Sequence, residues 1–169
     1  LKVEDASKLS IKFTDGSLLS LIANTEFKIA NYQFKDGKGS YTGELIQGGF
    51  KAISGQIAKS SPGTSKVKTP VATMAVTGTT YEACTTEDGV AFGCEQGQVT
   101  STSDTGSALL SEGNFVTANF SGDFGEITDS PPPALEILQQ ETADLETLGE
   151  SSDLESTPTE GEEESPTEG

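Results

Sequence analysis

Apolar and polar residues alternate along most of the first 125 positions of the chain. The first clear run, Leu9-Ser10-Ile11-Lys12-Phe13, has the period of two expected for a strand with one buried face. Similar short runs follow after breaks rich in Gly, Asp and Asn, and none of them has the 3.6-residue period of an amphipathic helix. The pattern predicts an all-β fold, which could be a sandwich, a roll or a solenoid-like array of short strands.

The predicted strands are separated by turn signals such as Asp15-Gly16-Ser17 and Asp36-Gly37-Lys38-Gly39. In such turns Asp bonds to its own backbone and Gly accepts a positive φ. The strands are expected over residues 9–13, 18–22, 26–29, 41–47, 50–57, 66–68, 71–76, 79–85, 90–95, 98–102, 108–110 and 115–120.

The pattern changes at Ser130-Pro131-Pro132-Pro133. Leucines then recur at helical spacing with acidic residues between them, and Gly149 is placed to end the helix. We therefore predict a β domain over 1–125, a Pro-rich linker over 126–133 and an amphipathic helix over 134–148, which needs a surface to dock on. Residues 149–169 have the acidic low-complexity composition that is typical of disorder. The four leucines, which could form an interface, are Leu135, Leu138, Leu145 and Leu148.

Charge is distributed unevenly along this chain, which has a formal net charge of −17. Residues 1–125 hold ten lysines and thirteen acids (10 − 13 = −3), whereas residues 126–169 hold fourteen acids and no base (−14). The absence of Arg and of a clustered basic region argues against nucleic acid as a partner. The chain also has no His, which excludes catalytic mechanisms and metal sites that need an imidazole.

Two cysteines, Cys84 and Cys94, flank a predicted hairpin turn. If that turn is centred on Gly89, the two residues lie opposite each other and can reach disulfide geometry. A structural disulfide would indicate the periplasm or the cell exterior, and the alternative is a pair of reduced core cysteines.

Other motifs have ordinary structural explanations. Asp104-Thr105-Gly106-Ser107 is spelled like the aspartic protease signature, but the preceding Thr100–Ser103 is hydroxylic where that family buries an apolar strand. The recurring Asp and Asn beside Gly do not have the spacing of a calcium loop, so we interpret them as turn residues. We expect no catalytic residues, no metal and no cofactor. No stretch reaches the roughly 18 apolar residues of a membrane-spanning helix, and Leu1 suggests a chain that was processed or cut from a longer one.

Several ordered motifs lie within residues 9–120. The first is Phe13-Thr14-Asp15-Gly16-Ser17, and a later one is Val67-Lys68-Thr69-Pro70-Val71-Ala72-Thr73 followed by Val76-Thr77-Gly78-Thr79. The first resembles the opening of the FecR domain family, and the second resembles the hallmark of that family. The residues that carry the resemblance are Asp15, Gly16, Ser17, Gly49, Phe50, Gly55, Thr69, Pro70, Gly78, Thr79, Gly97 and Gly113. Lys51 and Thr77 stand at two positions where the family favours Arg, so any role of those guanidinium groups does not transfer.

The resemblance implies an all-β domain in the periplasm or outside the cell. We expect a non-catalytic domain for protein–protein interaction or assembly, with a protein partner that could be a second copy of itself. Two alternatives stay open. One is a subunit of an extracellular filament, built by strand addition at an edge left free by missing N-terminal strands and by docking of the acidic tail along the lysines of the next subunit. The other is a periplasmic signalling fragment of a sigma-factor regulator. The candidate interface lysines are Lys51, Lys59, Lys66 and Lys68.

Overall fold

A computed structural model describes residues 1–61 and 63–150 of the chain and shows a β-sandwich. In chain order its elements are β1 (Leu9–Lys12), β2 (Leu18–Leu21), β3 (Glu26–Lys35), β4 (Lys38–Gln47), β5 (Gly49–Ile53), α1 (Gln56–Ser60), β6 (Ser65–Lys68), β7 (Thr73–Val76), β8 (Thr80–Thr85), β9 (Gly89–Gln96), β10 (Val99–Thr102), β11 (Ser107–Leu110), β12 (Asn114–Asn119), α2 (Pro133–Glu141) and α3 (Leu145–Glu150).

The strands form two six-stranded sheets. One has the order β1-β2-β5-β8-β9-β12 and carries α2 on its outer face, so we call it the covered sheet. The other has the order β11-β10-β7-β6-β4-β3, and we call it the open sheet. Neighbouring strands are antiparallel except β4 and β6, which are parallel. The predicted all-β class is confirmed, and the sandwich is the arrangement that the chain adopts.

The core lies between the two sheets and is built around aromatic side chains. Phe27 of the open sheet packs edge-on against Phe50 of the covered sheet at 5.5 Å between ring centroids, and Phe50 contacts Tyr81 at 5.7 Å. Phe50 and Phe92 are fully buried. These residues occupy inward positions of alternating strands, so the period-two pattern of the sequence is the direct cause of the layered core.

The N-terminal residues extend the open sheet. The backbone of Leu1 exchanges hydrogen bonds with Phe27, the Val3 amide donates to the Thr25 carbonyl, and Lys2 forms an antiparallel bridge with Glu26. The first part of the β3 edge is therefore paired within the chain. The structure gives no support to the filament hypothesis, which depended on an edge left free by missing strands.

One predicted strand is interrupted by a helix. The run 50–57 was expected to be extended throughout, but β5 ends at Ile53 and the short helix α1 follows. The first amides of α1 are held by the distant turn after β1: the Gln56 amide donates to the Asp15 carbonyl at 3.0 Å, and the Ile57 amide donates to the Asp15 carboxylate at 3.3 Å. A contact over 42 positions is not visible in a local pattern.

The C-terminal helix is broken in two. The expected single helix over 134–148 is instead α2 and α3, because Thr142 ends α2 by bonding through both its amide and its hydroxyl to the Leu138 carbonyl. Gly149 lies inside α3 and does not end it. The predicted acidic segment from 151 onward lies outside the described residues. Among the helices of residues 1–61 and 63–150, none is long and apolar enough to span a bilayer.

Candidate functional site

The Asp15-Gly16-Ser17 motif is a structural turn. Gly16 has φ +88°, and the Asp15 carboxylate accepts bonds from the Ser17 amide at 3.0 Å and the Ser17 hydroxyl at 2.6 Å. Gly55 packs against this turn so closely that an added Cβ would lie 2.6 Å from the Asp15 carbonyl oxygen. Because the same carboxylate also holds α1, these residues join β1, β2 and α1 at one end of the sandwich.

The hallmark motif forms two further junctions. The Thr69 hydroxyl donates to the Ala72 carbonyl at 2.7 Å and accepts the Ala72 amide at 3.1 Å, which closes the turn around Pro70. The Thr79 amide donates to the Ser54 hydroxyl at 2.7 Å, and its hydroxyl donates to the Gln98 carbonyl at 3.0 Å. Thr79 thus connects the segment between β7 and β8 to the segment between β5 and α1, through Ser54, and to the turn between β9 and β10, through Gln98.

The remaining motif glycines also serve the backbone. Gly78 and Gly97 both have positive φ, and a Cβ on Gly97 would approach the Gly78 carbonyl oxygen to 2.4 Å. Gly49 donates its amide to the Thr25 hydroxyl at 3.0 Å and lies beside Cys84, while Gly113 takes φ +83° in the turn before β12. Phe50, as described above, is a core residue.

A groove lies where the Thr69–Ala72 turn meets the open sheet. It has a volume of about 630 Å³ and is lined on the sheet side by Glu44, Ile46 and Lys68. The Ile46 side chain is exposed, and Asp104 lies in the β10–β11 turn at the opposite rim. The protease-like Asp-Thr-Gly motif is therefore an exposed turn, closed by the Ser103 amide bonding to the Gly106 carbonyl at 2.8 Å.

The outer face of the open sheet carries a group of lysines that we call the lysine face. Register places five exposed lysines there with two glutamates, Glu26 and Glu44. In one cross-strand row Glu44 lies opposite Lys28 on one side and Lys68 on the other. The neighbouring strands β7, β10 and β11 add mainly Thr and Ser to the same face. The lysines are Lys28, Lys35, Lys38, Lys66 and Lys68.

The other two candidate interface lysines lie elsewhere. Lys59 is exposed on α1. Lys51 is buried on the outer face of the covered sheet, with its side chain 7% exposed, and its Nζ lies 3.1 Å from Glu95 Oε1. The expectation that Lys51 forms an exposed interface was wrong, because α2 covers the strand position from which it projects.

Lys51 and the buried Glu82 form a polar cluster with the half-buried Glu95 and Gln139. Glu82 lies directly opposite Lys51 across β5 and β8, and Gln139 of α2 donates from Nε2 to Glu82 Oε2 at 2.6 Å. Glu82 is fully buried, and its Oε1 has no hydrogen-bond partner among the described residues. A shallow surface depression of about 530 Å³ lies beside the cluster and is lined by Lys51, Glu95 and Gln139 together with Phe115.

The cluster contains two carboxyl groups and one ammonium. Burial is the main cause that raises the pKa of Glu82 to about 8, and the neighbouring Glu95 carboxyl raises it further, while the bond from Gln139 and the charge of Lys51 oppose the shift. Glu82 is therefore protonated in the folded chain at neutral pH. Protonation removes the charge of the one carboxyl that is fully buried, while Glu95, whose side chain is 25% exposed, pairs with Lys51.

The predicted disulfide between Cys84 and Cys94 does not form, and both thiols are free and buried. The hairpin turns at Glu87-Asp88, so Cys84 pairs with Ala91 while Cys94 pairs with Tyr81. Cys84 then points outward beneath α2, and Cys94 points into the core between the sheets. Burial raises the pKa of each thiol to about 11. Because the turn is centred before Gly89, Cys84 and Cys94 are not opposite each other, and their side chains lie on different faces of the sheet.

The candidate interface leucines dock on the chain itself. Leu135 and Leu138 are fully buried against Cys84, Ala91 and Phe115 of the covered sheet, and Leu145 is buried where α3 packs on β2. Leu148 is half-buried. The surface that the predicted helix required is thus the covered sheet, and an exposed ion pair from Lys8 to Asp144 at 2.8 Å lies at the α2–α3 junction.

Sequence reasoning did not identify Glu82, Glu95 and Gln139. Lys51 and Glu82 are far apart in the chain, and no local sequence pattern relates them. They are neighbours only because β5 pairs with β8. The one available signal was the placement of charged residues, Lys51 and Glu82, inside otherwise apolar strands. Among the described residues, no group of three or more Cys, Asp or Glu side chains is arranged to hold a metal ion.

The fold and its turns define a FecR-type β-sandwich domain. A sequence model described as "FecR protein" matches residues 1–100, and the chain belongs to this family. Domains of this family are typically periplasmic and regulatory. No protein with a curated description matches the chain.

Two crystal structures of a candidate anti-sigma factor from Parabacteroides distasonis ATCC 8503 have a similar fold. The structure at 1.65 Å resolution has a TM-score of 0.64 and 18% sequence identity over 84% of this chain. The structure at 2.50 Å resolution has a TM-score of 0.63 and 20% identity over 86% of this chain. The chain spans 64% and 63% of the length of these relatives.

Proposed function

We propose that the chain is the extracytoplasmic, non-catalytic domain of an anti-sigma-type regulator, where it receives a signal by binding a protein partner. The observation that carries the proposal is the groove of about 630 Å³ at the end of the lysine face. Its wall is the Thr69-Pro70-Val71 segment of the FecR hallmark, so the most family-specific residues border an open surface.

The chemistry of the described residues supports binding rather than catalysis. The motif residues Asp15, Thr69 and Thr79 are each engaged in backbone bonds that hold turns. The buried carboxyl of Glu82 lies beneath α2 and bonds to Gln139. By contrast, the outward side chains of the open sheet are exposed or half-exposed, which leaves one complete sheet face available to a partner.

Transcript profiling in the source organism tests this role. We expect the double charge reversal Lys66→Glu and Lys68→Glu, made in the native gene, to change the transcript levels of one coherent set of genes. Lys59→Glu, an exposed lysine outside the lysine face, is the matched control and should leave that set unchanged. Unchanged transcripts after deletion of the codons for 1–125 would exclude a regulatory role.

Cell fractionation tests the location separately. An exported domain should appear in the osmotic-shock fluid or at the outer face of the inner membrane, where protease added to spheroplasts can cut it. Recovery of the chain only in the protease-protected cytosol would contradict the proposed location while leaving the fold assignment intact.

A further inference from the structure

The lysine face has an electrostatic complement within the same chain. Residues 151–169, which we call the acidic segment, contain seven carboxylates and no base. The lysine face carries five lysines and two glutamates, a local balance of 5 − 2 = +3 in a chain whose first 125 residues sum to −3. Opposite charge of this density draws the two together over roughly one Debye length, about 10 Å at 0.1 M salt.

The chain passes close to one edge of the sandwich at the start of α3. α3 packs on β2, next to the edge strand β1 of the covered sheet, and an exposed Lys8–Asp144 ion pair lies where α3 begins. The residues that follow β1 lie over β3, because the Thr14 hydroxyl bonds to the Tyr32 hydroxyl at 2.7 Å and the Phe13 and Tyr32 rings are 5.2 Å apart.

Strand β3 is the edge of the open sheet on which the lysine face begins. The path from α3 to the lysine face therefore turns around a single edge of the sandwich. Nineteen residues can extend about 60 Å, and the two sheets of a sandwich lie about 10 Å apart, so the acidic segment is long enough to cross this edge and lie along β3, β4 and β6.

We propose that the acidic segment of this chain folds around the β1–β3 edge and docks on the lysine face of the same molecule. The contact is a set of exposed ion pairs, each weak, and the short connection supplies the effective concentration that makes them add up. A segment docked there lies beside the groove bordered by Thr69-Pro70-Val71 and competes with any acidic partner for the same lysines.

Zero-length cross-linking of the full chain tests the proposal directly. A carbodiimide activates a carboxylate, and an amine within contact distance then forms an amide with loss of the activating group as a urea. Equal amounts of ¹⁴N- and ¹⁵N-labelled chain are mixed, cross-linked at about 20 mM and at about 500 mM NaCl, and digested for mass spectrometry.

The expected result is a set of links from Glu160, Glu162, Glu163 and Glu164 to lysines of the lysine face, within chains of one isotope. Their yield should fall several-fold at the higher salt. The variant Lys66→Gln and Lys68→Gln should lower the total yield, whereas Lys59→Gln should not.

Three results would overturn the proposal. Links confined to Lys8 and Lys12 would place the acidic segment beside the covered sheet. Links that join a ¹⁴N peptide to a ¹⁵N peptide would show that the lysine face binds the acidic segment of a second copy of the chain. Absence of links at low salt would show that the two charged regions do not meet. The test needs no partner and no regulatory readout, so its failure is distinct from failure of the proposed function.

Discussion

The two sheets of this sandwich have similar inner faces and very different outer faces. On the covered sheet, the outward positions of β5, β8 and β9 hold Lys51, Glu82, Cys84 and Ala91, all buried beneath α2. On the open sheet, the outward positions of β6 and β10 hold exposed lysines and threonines. One sheet has therefore become the middle layer of three, whereas the other keeps a free surface.

This difference separates a face whose side chains are buried beneath a helix from a face that stays exposed. The covered face includes the fully buried carboxyl of Glu82, which accepts a hydrogen bond from Gln139 of α2, and the buried ammonium of Lys51. The open face buries little, so substitutions there alter charge with little effect on folding.

Loss of the docking leucine should have the largest effect. The Leu138 side chain of α2 is 0% exposed, and Leu138→Ala should lower the free energy of unfolding by about 2–5 kcal/mol through lost burial and a residual cavity. Ile137, the next residue, is 56% exposed, and Ile137→Ala should change stability by less than about 0.5 kcal/mol. Urea unfolding followed by circular dichroism measures both, and equal effects of the two variants would contradict the docked position of α2.

The buried carboxyl of Glu82 should make stability fall as pH rises. Burial holds its pKa at about 8 in the folded chain against 4.5 ordinarily, so between these values the folded state binds the extra proton. The contribution is fully present below about pH 4.5 and is lost as pH rises through about 8, with a slope of at most about 1.4 kcal/mol per unit. Urea unfolding from pH 6 to 8, where this chain has no histidine to titrate, measures the slope.

The isosteric variant Glu82→Gln should remove that slope while it keeps an oxygen for Gln139. Glu136→Gln, on the exposed side of α2, is the control and should retain the wild-type slope. If Glu82→Gln has the same pH dependence as the wild type, Glu82 is not the titrating group.

The two thiols should report the two faces separately. Cys84 becomes accessible when α2 leaves the sheet, whereas Cys94 requires the sandwich itself to open. Native-state labelling should therefore modify Cys84 first, and Leu138→Ala should speed its labelling by roughly 30-fold or more while Cys94 follows global unfolding. Alkylation of the unfolded chain without reductant should add two alkyl groups, one to each thiol. If the second group is added only after reduction, the two cysteines form a disulfide and the free-thiol assignment is wrong.

Substitution on the open face should have the smallest effect on folding. Lys66→Ala removes an exposed charge from β6 and should change the free energy of unfolding by less than about 0.5 kcal/mol. Thermal unfolding at low and high salt provides the measurement. A loss comparable to that of Leu138→Ala would show that this face is also part of the folded core.

Local chemistry made much of the fold predictable. Asp15-Gly16-Ser17 and Asp36-Gly37 are turns in the structure as expected, because Asp and Gly favour those backbone conformations wherever the chain goes. The register of the Cys84–Cys94 hairpin was not predictable: Cys84 lies opposite Ala91, three residues from the expected Cys94, and a register shift by an odd number of residues moves a side chain to the opposite face of the sheet.

The sequence by itself determined the alternating strands, the turns between them, the leucine stripe of the C-terminal region and the uneven charge. These follow from backbone preferences and from a period that each short segment carries alone. Only the tertiary structure decided that α2 covers one sheet, that Lys51 is buried beside Glu82, and that the Asp15 turn begins α1. Each of these depends on contacts between residues that are distant in the chain, and the free energy of such contacts exists only once the two sheets have assembled.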